Sequence, residues 1–186
     1  MQGMFFGAGM LIHAVADHIL SKRKPAGFPI LRPLALEKLV YYAQGWHLAL
    51  RDEPLFDEDI QAWRHGPVAP TLYRRFRFLG GNPINADRLI TNPKSLLSPS
   101  SLEVIDQVWG WYGKFTGPEL IDMTHEERPW KETWGTRPRD GEGQDVIDPR
   151  IIREFFKEKH SEALENSFCG APSKKSLKLL GEIVRV

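Results

Sequence analysis

Residues 33–50 decide most of what this chain can fold into. Leu36, Leu39, Val40, Ala43, His47 and Leu50 recur at steps of three and four, the repeat that lines one face of an α-helix. Pro33 suits the first helical position, where its missing N–H is no loss, and Pro54 ends the run. Tyr41, Gln44 and Arg51 fall on other faces, so the helix is expected to bury a stripe and leave those three off it. Ile60-Gln61-Ala62-Trp63-Arg64 then reads as a short strand with Ile60 and Ala62 on one side. The chain turns at Gly66-Pro67, expected to start a helix reaching Leu79. Leu72, Phe76 and Leu79 form its inward stripe and Gly80-Gly81 its C-terminal cap.

The same periodicity marks further helices. Leu11, Val15 and Ile19, with Ile12 beside them, define one over residues 10–22, stopped by a basic run, Pro25 and Gly27. Ser98-Pro99 pairs an N-cap with a first-position proline for a helix to about residue 115, packed through Leu102, Ile105, Trp109 and Tyr112. Asp148-Pro149 opens another, carrying Ile151, Ile152, Phe155 and Phe156. Residues 119–123 read as a short helical turn and 129–134 as a further turn. Between them, Thr124 and Glu127 have the spacing of a capping box, but Pro129 would fall inside the helix so capped. A tight corner is therefore expected there, with Trp130 packed and His125 bonded to backbone. In residues 82–97, Ile84, Leu89 and Ile90 are strand candidates, while the polar, glycine-rich stretch 135–147 reads as a mobile loop. The sum is a mainly α fold: a single compact helical domain over residues 1–170 with a small β element, short strands near 60–64 and 84–90. A tail at 171–186 carries Leu177, Leu180, Ile183 and Val184 at roughly helical spacing, a docking helix for the body or for a neighbour.

Composition works by exclusion. At 186 residues, 41% hydrophobic and 26% charged, the chain is ordinary for a globular protein. A formal net charge of +1 gives no overall drive toward nucleic acid or a membrane surface. The opening apolar run lacks the cationic start of an export signal and the ~20 apolar residues of a membrane span. The one cysteine, Cys169, reads as a small apolar filler and fits a reducing cytoplasm. His13 and His18 are five apart and share no helical face, His47 sits on the apolar stripe as a hydrogen-bonded core histidine, and His160 lies in a charged helix. Gly7-x-Gly9 and Gly80-Gly81 lack the strand–loop–helix frame of a phosphate loop, and no serine sits in a nucleophile elbow. No catalytic residue, metal site or cofactor is expected.

What the chain does concentrate is arginine and aromatic side chains, the types enriched at the energetic centres of protein interfaces. Trp63, Arg64, Tyr73 and Arg75 are the candidates for partner binding. Two other readings stay open: a hydrolase-type enzyme using His125 and Glu126, and a DNA-binding autoregulator working through Arg64 to Arg77. The near-zero charge and the lack of an evident helix-turn-helix pair favour a protein partner over nucleic acid.

Three segments in order carry a resemblance. Leu36-Glu37-Lys38-Leu39-Val40-Tyr41-Tyr42-Ala43-Gln44-Gly45-Trp46-His47 comes first. Ala62-Trp63-Arg64-His65-Gly66-Pro67-Val68 follows, and residues 120–130 close the set with Thr124-His125-Glu126 and Pro129-Trp130. Over roughly residues 10–157 the chain resembles the SocA-like antitoxin, or Panacea, domain, also described as phage-associated. The resemblance implies a mainly helical single domain and an antitoxin role in a bacterial or prophage toxin–antitoxin system, with the cognate toxin neutralised by direct contact. Gly66, Pro67, Thr124, His125 and Trp130 are the structural residues of its motifs, and it carries over no catalytic residue or cofactor. Presentation of the captured toxin to a protease is compatible with the sequence.

Overall fold

The computed structural model describes residues 9–22, 30–85, 90–138 and 140–168. Cys169, Leu89, the first eight residues and the 171–186 tail lie outside the described residues.

Helix α2 (Pro33–Arg51) is the axis of the fold. Around it pack α1 (Met10–Ser21), α3 (Pro70–Phe76), α5 (Pro99–Tyr112), α6 (Gly117–Glu126), α8 (Pro149–Phe168) and strand β2 (Gly66–Val68). Every position of α2 from 35 to 48 is buried, including Tyr41 and Gln44, which the stripe placed elsewhere. Neighbours on all sides make this possible because they satisfy the polar face. Gln44 Oε1 accepts from the Leu55 N–H at 2.8 Å and the Phe56 N–H at 3.3 Å, while its Nε2 donates to the Phe56 carbonyl at 2.9 Å. A buried amide with such partners loses little relative to water. Arg51 alone of the three stays outside, paired with Glu103 at 2.8 Å. His47 is a core histidine, its Nδ1 2.9 Å from the Glu53 carbonyl and its Nε2 3.1 Å from Ser101 Oγ.

Gly66-Pro67 does not start a helix. Strands β1 (Gln61–Trp63) and β2 form an antiparallel hairpin pairing Trp63 with Gly66, Ala62 with Pro67 and Gln61 with Val68, so Arg64 and His65 are its tip. The positive torsion of the turn falls on Gly66, at φ +93°. Pro67 lies on an edge strand, the place in a sheet where a missing N–H is tolerated. The helix begins only at Pro70 and ends in a 3-10 turn at Arg77–Leu79.

The third strand comes from the segment expected to be loop. β3 (Asp145–Val146) pairs with β1, with Gln61 opposite Val146 and Ala62 opposite Asp145, and the fully buried Ile147 anchors it. Ile84, Asn85 and Ile90 are not in a strand, and residues 86–89 lie outside the described set. A short helix, α4 (Pro93–Leu96), packs on α1. The expected turns at 119–123 and 129–134 are helices, α6 and α7 (Arg128–Trp134). A capping box does form on α6, but from Thr116 and Glu119. Glu127 makes the corner in extended backbone, and Pro129 fits the first turn of α7.

Candidate recognition site

The three motif segments meet at one point. Lys38 on α2 is fully buried, and its Nζ donates to the Pro67 carbonyl at 2.7 Å. Gly66 is wedged against both neighbours: an added Cβ would lie 2.6 Å from Thr124 Oγ1 and 2.9 Å from Lys38 Cε. Thr124, itself fully buried, donates its hydroxyl to the Ile121 carbonyl at 3.0 Å. Trp130 Nε1 donates to the Trp63 carbonyl at 2.9 Å, so α7 grips the other side of the hairpin. The His125 ring stacks on Trp130 with centroids 3.9 Å apart, and Trp130 stacks on Trp134 at 5.2 Å. Together Lys38, Thr124, His125 and Trp130 hold the hairpin backbone in place.

Behind this centre lies a second buried group. Glu127, at the corner between α6 and α7, accepts from Lys159 Nζ at 3.0 Å, Tyr42 hydroxyl at 3.2 Å and Tyr41 hydroxyl at 3.4 Å. Burial and the Glu127 carboxylate hold both hydroxyls well above the ordinary tyrosine range, so they remain donors. Burial alone would depress the Lys159 ammonium, but Glu127 and Tyr112 beside it overturn that and raise it. Sequence reasoning missed this cluster. Its members run from Tyr41 to Lys159 along the chain, and no periodicity reports such a pairing.

The candidate contact residues separate into two groups. Arg64, at the hairpin tip, is exposed and makes no ion pair among the described residues. Trp63 is half-buried, its Nε1 donating to Gln61 Oε1 at 2.8 Å, with its ring edge-on to Tyr73 at 4.9 Å. Tyr73 is 41% exposed. Arg75 points the other way, its Nη2 2.5 Å from Asp17 Oδ1 on α1. Asp17 is fully buried and also accepts from the Ile90 and Thr91 backbone N–H groups and the Thr91 hydroxyl. The arginine cluster seen in the sequence is therefore split: Arg64, Arg74 and Arg77 face solvent and Arg75 ties α3 to α1.

His125 and Glu126 do not share a site. His125 lies flat on Trp130 in the interior, while Glu126 extends outward to Lys131 at 2.6 Å with its side chain 69% exposed. Among the described residues no three His, Cys, Asp or Glu side chains gather closely enough for a metal ion. Among the same residues no helix is long and apolar enough to cross a membrane.

Beside Trp63 and Tyr73 opens a cavity of about 230 Å³ that Glu37 helps to line. Burial raises the Glu37 carboxyl to about 8 against the pull of Lys38 and the Ala69 N–H. Burial lowers Lys38 to about 7, opposed by Glu37. Native Glu37 thus keeps a proton that the unfolded chain, with its ordinary value of 4.5, has lost. Folding takes up a proton in that window, so the Glu37 contribution to stability falls as pH rises through it. Glu37→Gln removes that slope. Between about pH 5 and about pH 6.5, below the Lys38 titration, urea denaturation should show the variant gaining on the wild type. The gain is at most about 1.4 kcal/mol per pH unit. A difference that stays flat with pH would contradict the buried placement of this carboxyl.

These features define a class: a mainly helical domain wrapped round one buried helix, with a small antiparallel sheet held by a polar centre. The family model described as antitoxin SocA-like, Panacea domain, matches residues 36–131, and the chain belongs to that family. It is 31% identical over 127 residues to antitoxin SocA of Caulobacter vibrioides (strain NA1000 / CB15N). That alignment takes in 63% of this chain and 66% of the relative, just under two thirds of its length. No solved structure matches.

Proposed function

We propose that this protein is an antitoxin that neutralises a cognate toxin by direct protein–protein contact, through the face made by Trp63, Arg64 and Tyr73. The observation that supports this most is what the motif residues hold. Lys38 and Trp130 bond to hairpin backbone and Thr124 packs against Gly66, so the buried centre fixes an exposed tip of arginine and aromatic side chains. The rigid fork of Arg64 suits a carboxylate on the toxin, and Tyr73 brings apolar area at little rotamer cost. Arg75, behind this face, braces α3 through Asp17. Blocking a toxin by contact requires no chemistry from this chain. Delivery of the captured toxin to a protease is a separate step, distinguished by asking whether neutralisation survives in a protease-deficient host.

The test is co-expression with the product of the adjacent reading frame. Wild-type protein should restore growth and co-purify with that product. The Arg64→Glu/Tyr73→Ala variant should melt like the wild type yet fail to neutralise. Truncating an interface anchor removes about 2–4 kcal/mol of binding, roughly 30-fold or more in affinity for each. A folded double variant that neutralises as well as wild type would put the contact on another face. A wild-type protein that neither rescues nor co-purifies would remove the antitoxin reading.

A further inference from the structure

The cavity beside the proposed contact face is small, apolar along its walls and basic at its mouth. At about 230 Å³ it falls below the ~300–1,000 Å³ of ordinary small-molecule pockets and suits a single side chain. Pro33, Leu34, Val68, Trp63 and Tyr73 give it apolar walls. The indole N–H of Trp63 is already given to Gln61, and its ring meets Tyr73 edge-on at 4.9 Å. Glu37 is the one acid among the described lining residues. It is 5% exposed and its carboxyl, raised to about 8, is protonated near neutral pH, so it sets no negative charge against an occupant.

Three elements each bring an arginine to this place. Arg64 on the hairpin tip and Arg77 in the 3-10 turn after α3 both line the cavity. Arg32 directly precedes Pro33 at the start of α2, and its guanidinium donates to the Gly81 carbonyl, next to Gly80 of the lining. All three are exposed and make no ion pair among the described residues, although the whole chain carries a net charge of only +1.

That arrangement selects the occupant. A lysine or arginine would enter against three guanidinium groups. A lone carboxylate at the end of a chain reaches one side of the mouth, whereas the arginines come from separate elements. A segment passing across the mouth, with acids before and after its anchor, can pair with more than one of them. The anchor itself needs only apolar bulk, whose burial drives binding.

We infer that this cavity seats one large apolar side chain, phenylalanine or leucine, from an acidic segment of a partner protein whose flanking carboxylates pair with Arg64 and Arg77. The inference takes its partner from the proposed function and names the chemistry that the contact face accepts.

The probe is a fluorescein-labelled heptapeptide, Gly-Asp-Glu-Phe-Glu-Asp-Gly, titrated against the full chain by anisotropy near neutral pH. Its companions carry Ala in place of Phe, or Lys in place of all the acids. The acidic Phe peptide should bind at least about tenfold tighter than its Ala counterpart, the scale of one buried aromatic side chain, and the Lys peptide should bind weakest. Raising salt from about 0.05 M to about 0.5 M should weaken the acidic peptide several-fold. Arg64→Glu/Arg77→Glu, both on the surface, should reverse the flank preference. Leu34 is half-buried at the second position of α2, where an acid suits the helix start. Leu34→Asp should therefore melt like wild type and lose the preference for Phe over Ala. Equal binding of the Phe and Ala peptides, no binding of any peptide, or a flank preference unchanged in Arg64→Glu/Arg77→Glu would overturn the inference. So would N-acetylphenylalaninamide binding as tightly as the peptide, or displacement of the peptide by an equal concentration of oligothymidylate. Those results would assign the cavity to a free small molecule or the basic mouth to nucleic acid. Neutralisation keeps the two proposals apart. If Leu34→Asp loses the peptide yet neutralises the toxin as wild type does, the anchor inference fails and the antitoxin reading stands. If wild type does not neutralise while the peptide pattern holds, the antitoxin reading fails and the cavity assignment stands.

Discussion

Glu127→Ala should lower folding stability by about 2–4 kcal/mol, the scale expected when one partner of a largely buried ion pair is removed. The side chain it abandons is the reason. Lys159 is 24% exposed and sits among Tyr42, Tyr112, Phe155 and Phe156, with its Nζ 5.5–5.9 Å from their ring centroids. Those ring faces attract a cation by about 0.5–2 kcal/mol, less than the desolvation that Glu127 offsets, and partial exposure keeps the loss below that of a sealed pair. Tyr41 and Tyr42 would also lose their acceptor. For a chain of this size the midpoint should fall by roughly 5–15 °C. The double variant Glu127→Leu/Lys159→Met should recover part of that, because it removes the unpaired charge, while the Tyr41 and Tyr42 hydroxyls stay without their acceptor. A Glu127→Ala protein within about 1 kcal/mol of wild type would mean the pair is not the one drawn here.

Gly66→Ala should be comparably severe for a different reason. Its φ of +93° lies where L side chains are strained, and its Cβ would drive into Thr124 Oγ1 and Lys38 Cε. Backbone strain contributes about 1–3 kcal/mol and overpacking a similar amount. If the hairpin retreats to relieve the clash, Lys38 loses the Pro67 carbonyl and becomes a buried amine without its acceptor. Stability and toxin neutralisation should therefore fall together. Adding Thr124→Ala should restore part of the stability by removing one clash, and the φ strain should account for the remainder. A Gly66→Ala protein with a wild-type melting temperature would show that the hairpin is not wedged in this way.

How much of this was legible in the sequence depends on the range of the interaction. Helices α1, α2, α5 and α8 could be read because their apolar repeat is local, and the starts of α2, α5 and α8 also carry a proline. The hairpin could not, since a proline after a glycine reads equally as a helix start and as an edge strand. β3 offers two exposed residues and no alternation at all. The full burial of α2 was hidden by its polar residues, each of which finds its partner far along the chain: Lys38 at Pro67, Tyr42 at Glu127, Gln44 at Phe56. The candidate face was half legible. Trp63 and Tyr73 do meet and Arg64 is exposed beside them, but Arg75 is drawn away by Asp17, 58 residues earlier. Glu37 went unmarked because an acid near a helix start looks ordinary until the walls around it are seen.

Hydrogen–deuterium exchange of the protein alone and bound to the product of its neighbouring gene measures the contact face most directly. Protection on binding should concentrate in residues 61–80, the hairpin and α3, with the interior of α2 slow in both states. A stable complex in which residues 61–80 exchange as in the free protein, while some other face becomes protected, would contradict it.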